Sequence, residues 1–367
     1  MTKILVLGAG KIGSAIAHLL QREGDCAVTV ADQNPGARAF VPERVPFREV
    51  DANDSASLRQ AIAGFDAVVN GCPYHLNVPI ATVARVCRVH YFDLTEDVTA
   101  ARAIRHIAED AGTVFVPQCG LAPGFVGIAA MSLAGRFERL DSLRLRAGAL
   151  PLYGVSALTY SLTWSTEGLI NEYCNPCEAI VRGRRVEAQA LDGLEVLSVD
   201  GTTYEAFNTS GGLGTLADTL EGRVQHLDYK SIRYPGHCHQ MRLLAVDLGL
   251  GQRRDLFKQV LESAVPATVQ DVVVVLITAM GHRGGRLFQE SVARKILGKT
   301  IDGTPWSAIQ LATATAACAV VDLHRAGRLP ARGFVRQEDI PLGDFAANRF
   351  GRLYADVTGD QTWSPAP

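Results

Sequence analysis

Neither sign of charge is in excess in this chain of 367 residues: 36 lysines and arginines face 38 aspartates and glutamates, a formal net charge of −2. That balance gives no electrostatic footprint for a nucleic-acid partner or an anionic membrane surface. Long apolar runs are missing as well. The segment 308–321 comes nearest, but it is short, rich in Ala and Thr and stopped by Asp322, so no membrane span is expected. The apolar start of the chain is broken by Gly8, Gly10 and Lys11, which does not suit a secretory leader, and a cytoplasmic setting is expected. Eight cysteines are spread widely without the pattern of a disulfide framework, so reduced thiols are expected. No internal repeat or low-complexity block appears. What is present, 47% hydrophobic and 20% charged residues, describes a globular protein with ample core, and the length makes two domains the natural expectation.

The first thirty-odd residues organise the rest. Ile4 to Leu7 is a short continuous apolar run, as a strand buried on both faces of a parallel sheet requires. Gly8-Ala9-Gly10-Lys11-Ile12-Gly13 follows at once: Gly8 permits the tight turn, Gly10 lets backbone approach a pyrophosphate, and Gly13 lets the next helix lie close to the strand. Free N–H groups at the helix start favour a dianion. Ala27 to Ala31 reads as a second strand, closed by Asp32 where an acidic residue meets an adenosine ribose. Gly8, Gly10, Lys11, Ile12, Gly13 and Asp32 are therefore candidate cofactor ligands, and Asp32 favours NAD, since its carboxylate repels a 2′-phosphate. Arg38 on the same loop, if folded back, would instead admit NADP.

Strand and helix alternate up to about residue 120, six strands in all. Asp51 and Ala52 stand at the end of the third, where such sheets hold adenine, while Asp54 or Ser55 caps the helix that follows. Cys72, Pro73, Tyr74 and His75 follow the fourth, and Asp93 ends the fifth; loops at these carboxyl ends line the ligand crevice. From Leu143 the grammar changes to short alternating strands, among them 143–148, 160–166, 181–187 and 194–198, with a longer β-rich run at 271–280. The segment 308–326 reads as a helix ended by Gly327 and Pro330. The expected fold class is α/β: an N-terminal Rossmann doubly wound parallel sheet (1–124), an inserted α+β substrate and dimerisation domain on a mixed, largely antiparallel sheet (125–305), and C-terminal helices returning to the first domain (306–367).

Three stretches suggest a family. The glycine turn, Cys119-Gly120-Leu121-Ala122-Pro123-Gly124 and Lys230-Ser231-Ile232-Arg233-Tyr234-Pro235-Gly236-His237 together resemble the saccharopine dehydrogenase-like oxidoreductases. Ser165 to Tyr173 is similar to the corresponding segment of the lysine 6-dehydrogenase branch. The resemblance implies an NAD-dependent enzyme oxidising the terminal amine-bearing carbon of lysine. The imine would lose ammonia to water, and the aldehyde would cyclise to a piperideine carboxylate. It also implies a homodimer formed through the inserted domain, and makes Cys119 a site-lining residue. The aromatic loop Cys72-Pro73-Tyr74-His75 departs from the expected lysine pattern and opens the substrate to another amino acid or a secondary amine, as in a saccharopine-type enzyme. A reading of another class, a non-catalytic dinucleotide sensor, needs only the glycine turn and Asp32.

Hydride leaves a carbon bearing nitrogen only when that nitrogen is neutral, so a base is required. Asp93, His75 and Lys230 are the candidates; Asp93 has a plainer role as a helix cap before Val98. Arg233 can grip a carboxylate through two parallel hydrogen bonds, with His237 beside it and Arg242 as a second cation. Tyr74, Glu167 and Tyr173 complete the candidate lining. A structural zinc on Cys174, Cys177 and the His237-Cys238-His239 run is the rival reading of those residues; a single close cysteine pair does not carry it, and no metal is expected.

Overall fold

The computed structural model describes residues 1–154 and 156–355, which fall into two units, Met1–Phe125 with Ala312–Ala355, and Val126–Leu311. Residues 356–367 of the expected C-terminal segment lie outside the described residues.

The first unit alternates β1 (Thr2–Leu7), α1 (Lys11–Arg22), β2 (Cys26–Asp32), β3 (Phe47–Glu49), α2 (Ser55–Ile62), β4 (Ala67–Asn70), α3 (Asn77–Cys87), β5 (His90–Asp93), α4 (Val98–Ala108) and β6 (Val114–Val116). The strands lie parallel in the order β6-β5-β4-β1-β2-β3. The order reverses beside β1, so a crevice opens at the carboxyl ends of β1 and β4, where ligands of such sheets bind. Ile4, Leu5 and Val6 are fully buried, because helices cover both faces of a parallel sheet. Asp54 caps α2 by accepting from Ala56 and Ser57 N–H, as its position at the strand end suggests. A seventh strand, Gly333–Phe334, pairs in parallel with the outer edge of β6. The sequence does not announce it: two residues are too few to show any period. The helix Ala308–Arg325 forms as expected and carries the chain back to this unit.

The second unit holds α5 (Phe125–Ala134, begun at the unit's edge), β7 (Arg139–Pro151), α6 (Thr166–Cys174), β8 (Cys177–Val181), β9 (Arg184–Ala188), β10 (Glu195–Val199), β11 (Thr202–Asn208), α7 (Leu216–Leu220), β12 (Val224–Arg233), α8 (His237–Arg242), α9 (Arg254–Ala264), β13 (Asp271–Arg283) and β14 (Arg286–Leu297). Its main sheet runs β10-β11-β12-β7-β13-β14, antiparallel except for the β12–β7 pair. The expected single strand at 181–187 is a hairpin, because Arg182 and Gly183 both adopt positive φ (51° and 77°), the two-residue turn that matches strand twist. Segment 160–166 is not a strand. Tyr160 and Leu162 sink into an apolar cluster with Tyr173, Phe207 and Phe257, and Leu162 N–H donates to the Pro266 carbonyl at 3.0 Å rather than to a sheet partner. Ser165 then caps α6 through Gly168 N–H.

Candidate functional site

The glycine turn is built as its spacing predicts. Gly8 has φ +89°, and a Cβ there would meet the Gly71 carbonyl carbon and oxygen at 2.9 Å; at Gly13 a Cβ would lie 1.8 Å from the Gly8 carbonyl oxygen. These two glycines are demanded by the protein's own packing. Gly10 is not: its φ is −70°, open to any residue, and a Cβ would meet nothing within 4 Å. Gly10 is also the N-cap of α1 and offers no side-chain cap, and the first turn, with Lys11 and Ile12, contains no acidic residue. An uncapped helix start beside space that only a glycine keeps clear fits a pyrophosphate. The turn therefore suits a dinucleotide.

Asp32 ends β2 beside it. One carboxylate oxygen accepts from Ala9 N–H at 2.7 Å, and the other from Asn34 N–H at 2.8 Å. Arg38 is turned into its own loop, donating to the carbonyls of Val41, Pro42 and Glu43. Asp51 is exposed and held by Asn53, through the backbone N–H and the side-chain amide, and Ala52 is buried. After β4, burial and the Asp32 charge push the Cys72 thiol up to about 12, so it stays protonated. Pro73 leads into one turn of tight helix in which Tyr74 is half-buried and His75 exposed, their rings edge to face.

Asp93 is fully buried. One oxygen accepts from the Tyr91 hydroxyl at 2.8 Å, and the other from the backbone N–H groups of Thr95 (3.0 Å) and Gln118 (2.9 Å). Tyr91 extends the network to Asn70 and Asn77, and Asn70 holds Cys72 N–H. Asp93 thus ties together the loops after β4, β5 and β6. It is not the cap expected before Val98, a role taken by Asp97. Burial raises its pKa to about 6, against the three hydrogen bonds that favour the anion. A folded carboxyl that holds its proton more tightly than an unfolded one favours the fold while protonated, and that contribution is lost as pH rises from the unfolded value of 3.8 through about 6. The stability of the wild type relative to Asp93→Asn should therefore fall by roughly 2–3 kcal/mol between about pH 4 and 7. Denaturant titrations across that range check it, and a pH-independent difference would contradict it.

Several candidates are committed elsewhere. Cys119, expected to line the site, is buried, and its thiol donates to the Val116 carbonyl at 3.0 Å. Lys230 does not have the setting of a base: its ammonium donates to the Gly193 carbonyl and to Glu195 at 2.9 Å, and Glu195 is shared with Arg146. The Arg233 guanidinium is buried and paired within the protein. Its Nε donates to the Tyr173 hydroxyl at 2.9 Å, one terminal nitrogen donates to the Ile232 carbonyl and the other to Glu172 at 3.3 Å, and its plane lies over Tyr160. Burial alone would weaken its hold on a proton, but Tyr173, Tyr160 and Glu172 raise its pKa.

His237 Nδ1 donates to the Leu158 carbonyl at 2.8 Å, a pairing that leaves Nε2 to accept from Tyr173. Burial and then Arg233 push its pKa down to about 3, so it is neutral. Arg242 and Glu167 are in ion pairs near the surface, with Asp192 and Lys258 respectively. The residues of the zinc alternative are likewise turned to other partners. Cys177 and Cys238 thiols turn to the carbonyls of Asn175 and Leu191, and among the described residues no three potential ligands cluster. All eight cysteines are free.

A parallel sheet with this strand order and a dinucleotide turn on β1, with a second unit on a mixed sheet, define a dinucleotide-binding architecture. Residues 4–116 match the model of the saccharopine dehydrogenase NADP binding domain, and residues 120–354 that of the saccharopine dehydrogenase C-terminal domain. The chain belongs to the saccharopine dehydrogenase family. It is similar to the mitochondrial alpha-aminoadipic semialdehyde synthase of Bos taurus, with 23% identity over 81% of this chain and 34% of that protein. It is also similar to the saccharopine dehydrogenase [NADP(+), L-glutamate-forming] of Schizosaccharomyces pombe, with 25% identity over 53% of this chain and 45% of that one. The chain thus spans less than half the length of these relatives. The apo saccharopine dehydrogenase (L-Glu forming) of Saccharomyces cerevisiae shares the fold, with a TM-score of 0.76 at 14% identity over 94% of this chain and 97% of that one. Among the described residues no helix is long and apolar enough to cross a membrane.

Proposed function

We propose that the protein is an NAD-dependent dehydrogenase that oxidises the terminal amine-bearing carbon of L-lysine or a close analogue, releasing ammonia and an aldehyde that cyclises to a piperideine carboxylate. Asp32 supports NAD over NADP. Its carboxylate stands at the ribose end of the turn, and Arg38, the cation that would meet a 2′-phosphate, is spent on loop carbonyls. A bound nicotinamide supplies the hydride acceptor. Backbone N–H groups around Gly10 hold the pyrophosphate, Asp32 orients the ribose, and Asp93 with Tyr91 and Asn70 fixes the loops above the sheet. The exposed imidazole of His75, on the loop after β4, takes the proton from the substrate amine. Free thiols support a cytoplasmic setting, and the family resemblance a homodimer.

The observation that carries the choice of a primary amine is the pairing of the cations. A saccharopine-type substrate brings two acid groups beyond that of lysine, and the arginines available for them are engaged: Arg146 with Glu195 and Asp228, Arg242 with Asp192. The curated relatives favour that second reading. Incubation with L-lysine and, separately, with saccharopine, each with NAD, followed by mass spectrometry, decides between them. Lysine should yield ammonia and a cyclic imine; turnover of saccharopine alone, with release of a second amino acid, would overturn the proposal.

A further inference from the structure

The mixed sheet ends in a strand that neither the dinucleotide turn nor the substrate chemistry uses. β14 is 12 residues long, about twice the usual strand, and stands last in the strand order. Its inner side pairs with β13 without a break in register, from Val272 opposite Leu297 to Arg283 opposite Arg286. Among the described residues no strand pairs with its outer side. The chain beyond it returns on the inner side, where Ala308 and Ile309 N–H donate to Asp271 at the head of β13. Gly284 and Gly285, with φ 57° and 73°, make a two-residue hairpin turn, whose flanking pair Arg283 and Arg286 is hydrogen-bonded. Alternation from that pair aims the backbone N–H and C=O groups of Leu287, Gln289, Ser291, Ala293, Lys295 and Leu297 outward. The Ala293 carbonyl agrees, since it accepts from the Arg294 guanidinium at 2.7 Å. A long edge invites pairing unless proline or a bulge interrupts it, and β14 has neither.

What this edge fits is itself. Turned end for end about Val292, the strand sets every outward residue opposite another: Leu287 opposite Leu297, Gln289 opposite Lys295, and Ser291 opposite Ala293. On the other face Phe288 comes opposite Ile296, and Glu290 opposite Arg294. No like charges meet. A two-fold at Glu290 would set Arg286 against Arg294, and one at Ser291 would leave Leu297 facing Gly285. We propose that β14 pairs antiparallel with β14 of a second copy about a two-fold axis at Val292, joining the two sheets edge to edge. The contact is the same patch on both copies, makes about a dozen backbone hydrogen bonds, and covers Leu287 and Leu297, which are 58% and 49% exposed. The Arg294 guanidinium gives up the Ala293 carbonyl to Ser291 N–H of the second copy. It turns instead to Glu290 of that copy, a carboxylate held in place by Arg136 and Arg283. The inference rests on the homodimer proposed above and names its surface; the choice of substrate does not enter it.

Sedimentation velocity of the full chain at micromolar concentration tests this, with circular dichroism to show that each variant is folded. The wild type should be a dimer. Ala293→Pro removes an N–H that β13 does not use and sets the ring on the outer edge, and it should raise the dimer Kd on the order of 100-fold. Leu287→Lys combined with Leu297→Lys sets like charges opposite each other and should raise Kd by about tenfold or more. Leu287→Glu combined with Leu297→Lys sets opposite charges there and should dimerise within about threefold of the wild type. A dimer that tolerates both Ala293→Pro and the paired lysines forms through another surface, which overturns the proposal and leaves the homodimer standing. Equal weakening by the two charged pairs overturns the register about Val292. A monomeric wild type overturns the surface and the homodimer together.

Discussion

Gly10→Ala is expected to leave thermal stability unchanged and to weaken dinucleotide binding on the order of 100-fold. The free protein has room for the methyl group, since φ is −70° and nothing lies within 4 Å of the added carbon. The loss falls on the ligand alone, because the pyrophosphate must approach the backbone where the methyl would stand. Gly13→Ala is the opposite case. Its methyl would lie 1.8 Å from the Gly8 carbonyl oxygen, so strand and helix must part, and a destabilisation of about 2–4 kcal/mol is expected before any ligand is added. Thermal unfolding and titration with NADH, run on both variants, separate the two effects. Wild-type affinity in Gly10→Ala would contradict this assignment of the turn.

Arg233→Met is expected to destabilise the protein by about 3–5 kcal/mol. The guanidinium is the positive centre of a buried cluster. Its removal leaves the Glu172 carboxylate without that ion pair and Tyr173 without the donor that completes the chain from Arg233 through Tyr173 to neutral His237. Arg233→Met combined with Glu172→Gln should recover part of the loss, since the uncompensated charge goes with it. Denaturant unfolding measures both. If Arg233 instead held a substrate carboxylate, its loss would raise KM and barely move stability, so a stability change below about 1 kcal/mol would contradict the structural role.

The first unit was legible in the sequence because its signals are local. An apolar run, three glycines, a helix, a second run and Asp32 lie within about thirty residues, and each glycine's duty follows from backbone sterics. The position of Asp93 at a strand end was legible too. Its burial was not, because that depends on Tyr91, Thr95 and Gln118 folding over it.

The cations of the second unit misled for a related reason. A sequence displays Lys230 and Arg233 but not their partners, and Glu172 and Glu195 are brought to them by strand pairing and helix packing. Alternation marked the middle of β7 but not its full length, and Tyr160–Thr166 alternates without a sheet edge to join. Gln118, whose N–H holds Asp93, carries no signal beyond its place after β6; its backbone conformation marks it.

The central claim is that the backbone around Gly10, with Asp32, binds a nicotinamide dinucleotide and selects it at the ribose. Calorimetric titration of the folded wild-type chain with NADH and NADPH tests that most directly. The account predicts saturable binding of NADH, and binding of NADPH at least about tenfold weaker because Asp32 opposes the 2′-phosphate. No heat with either nucleotide, or tighter binding of NADPH, would contradict it.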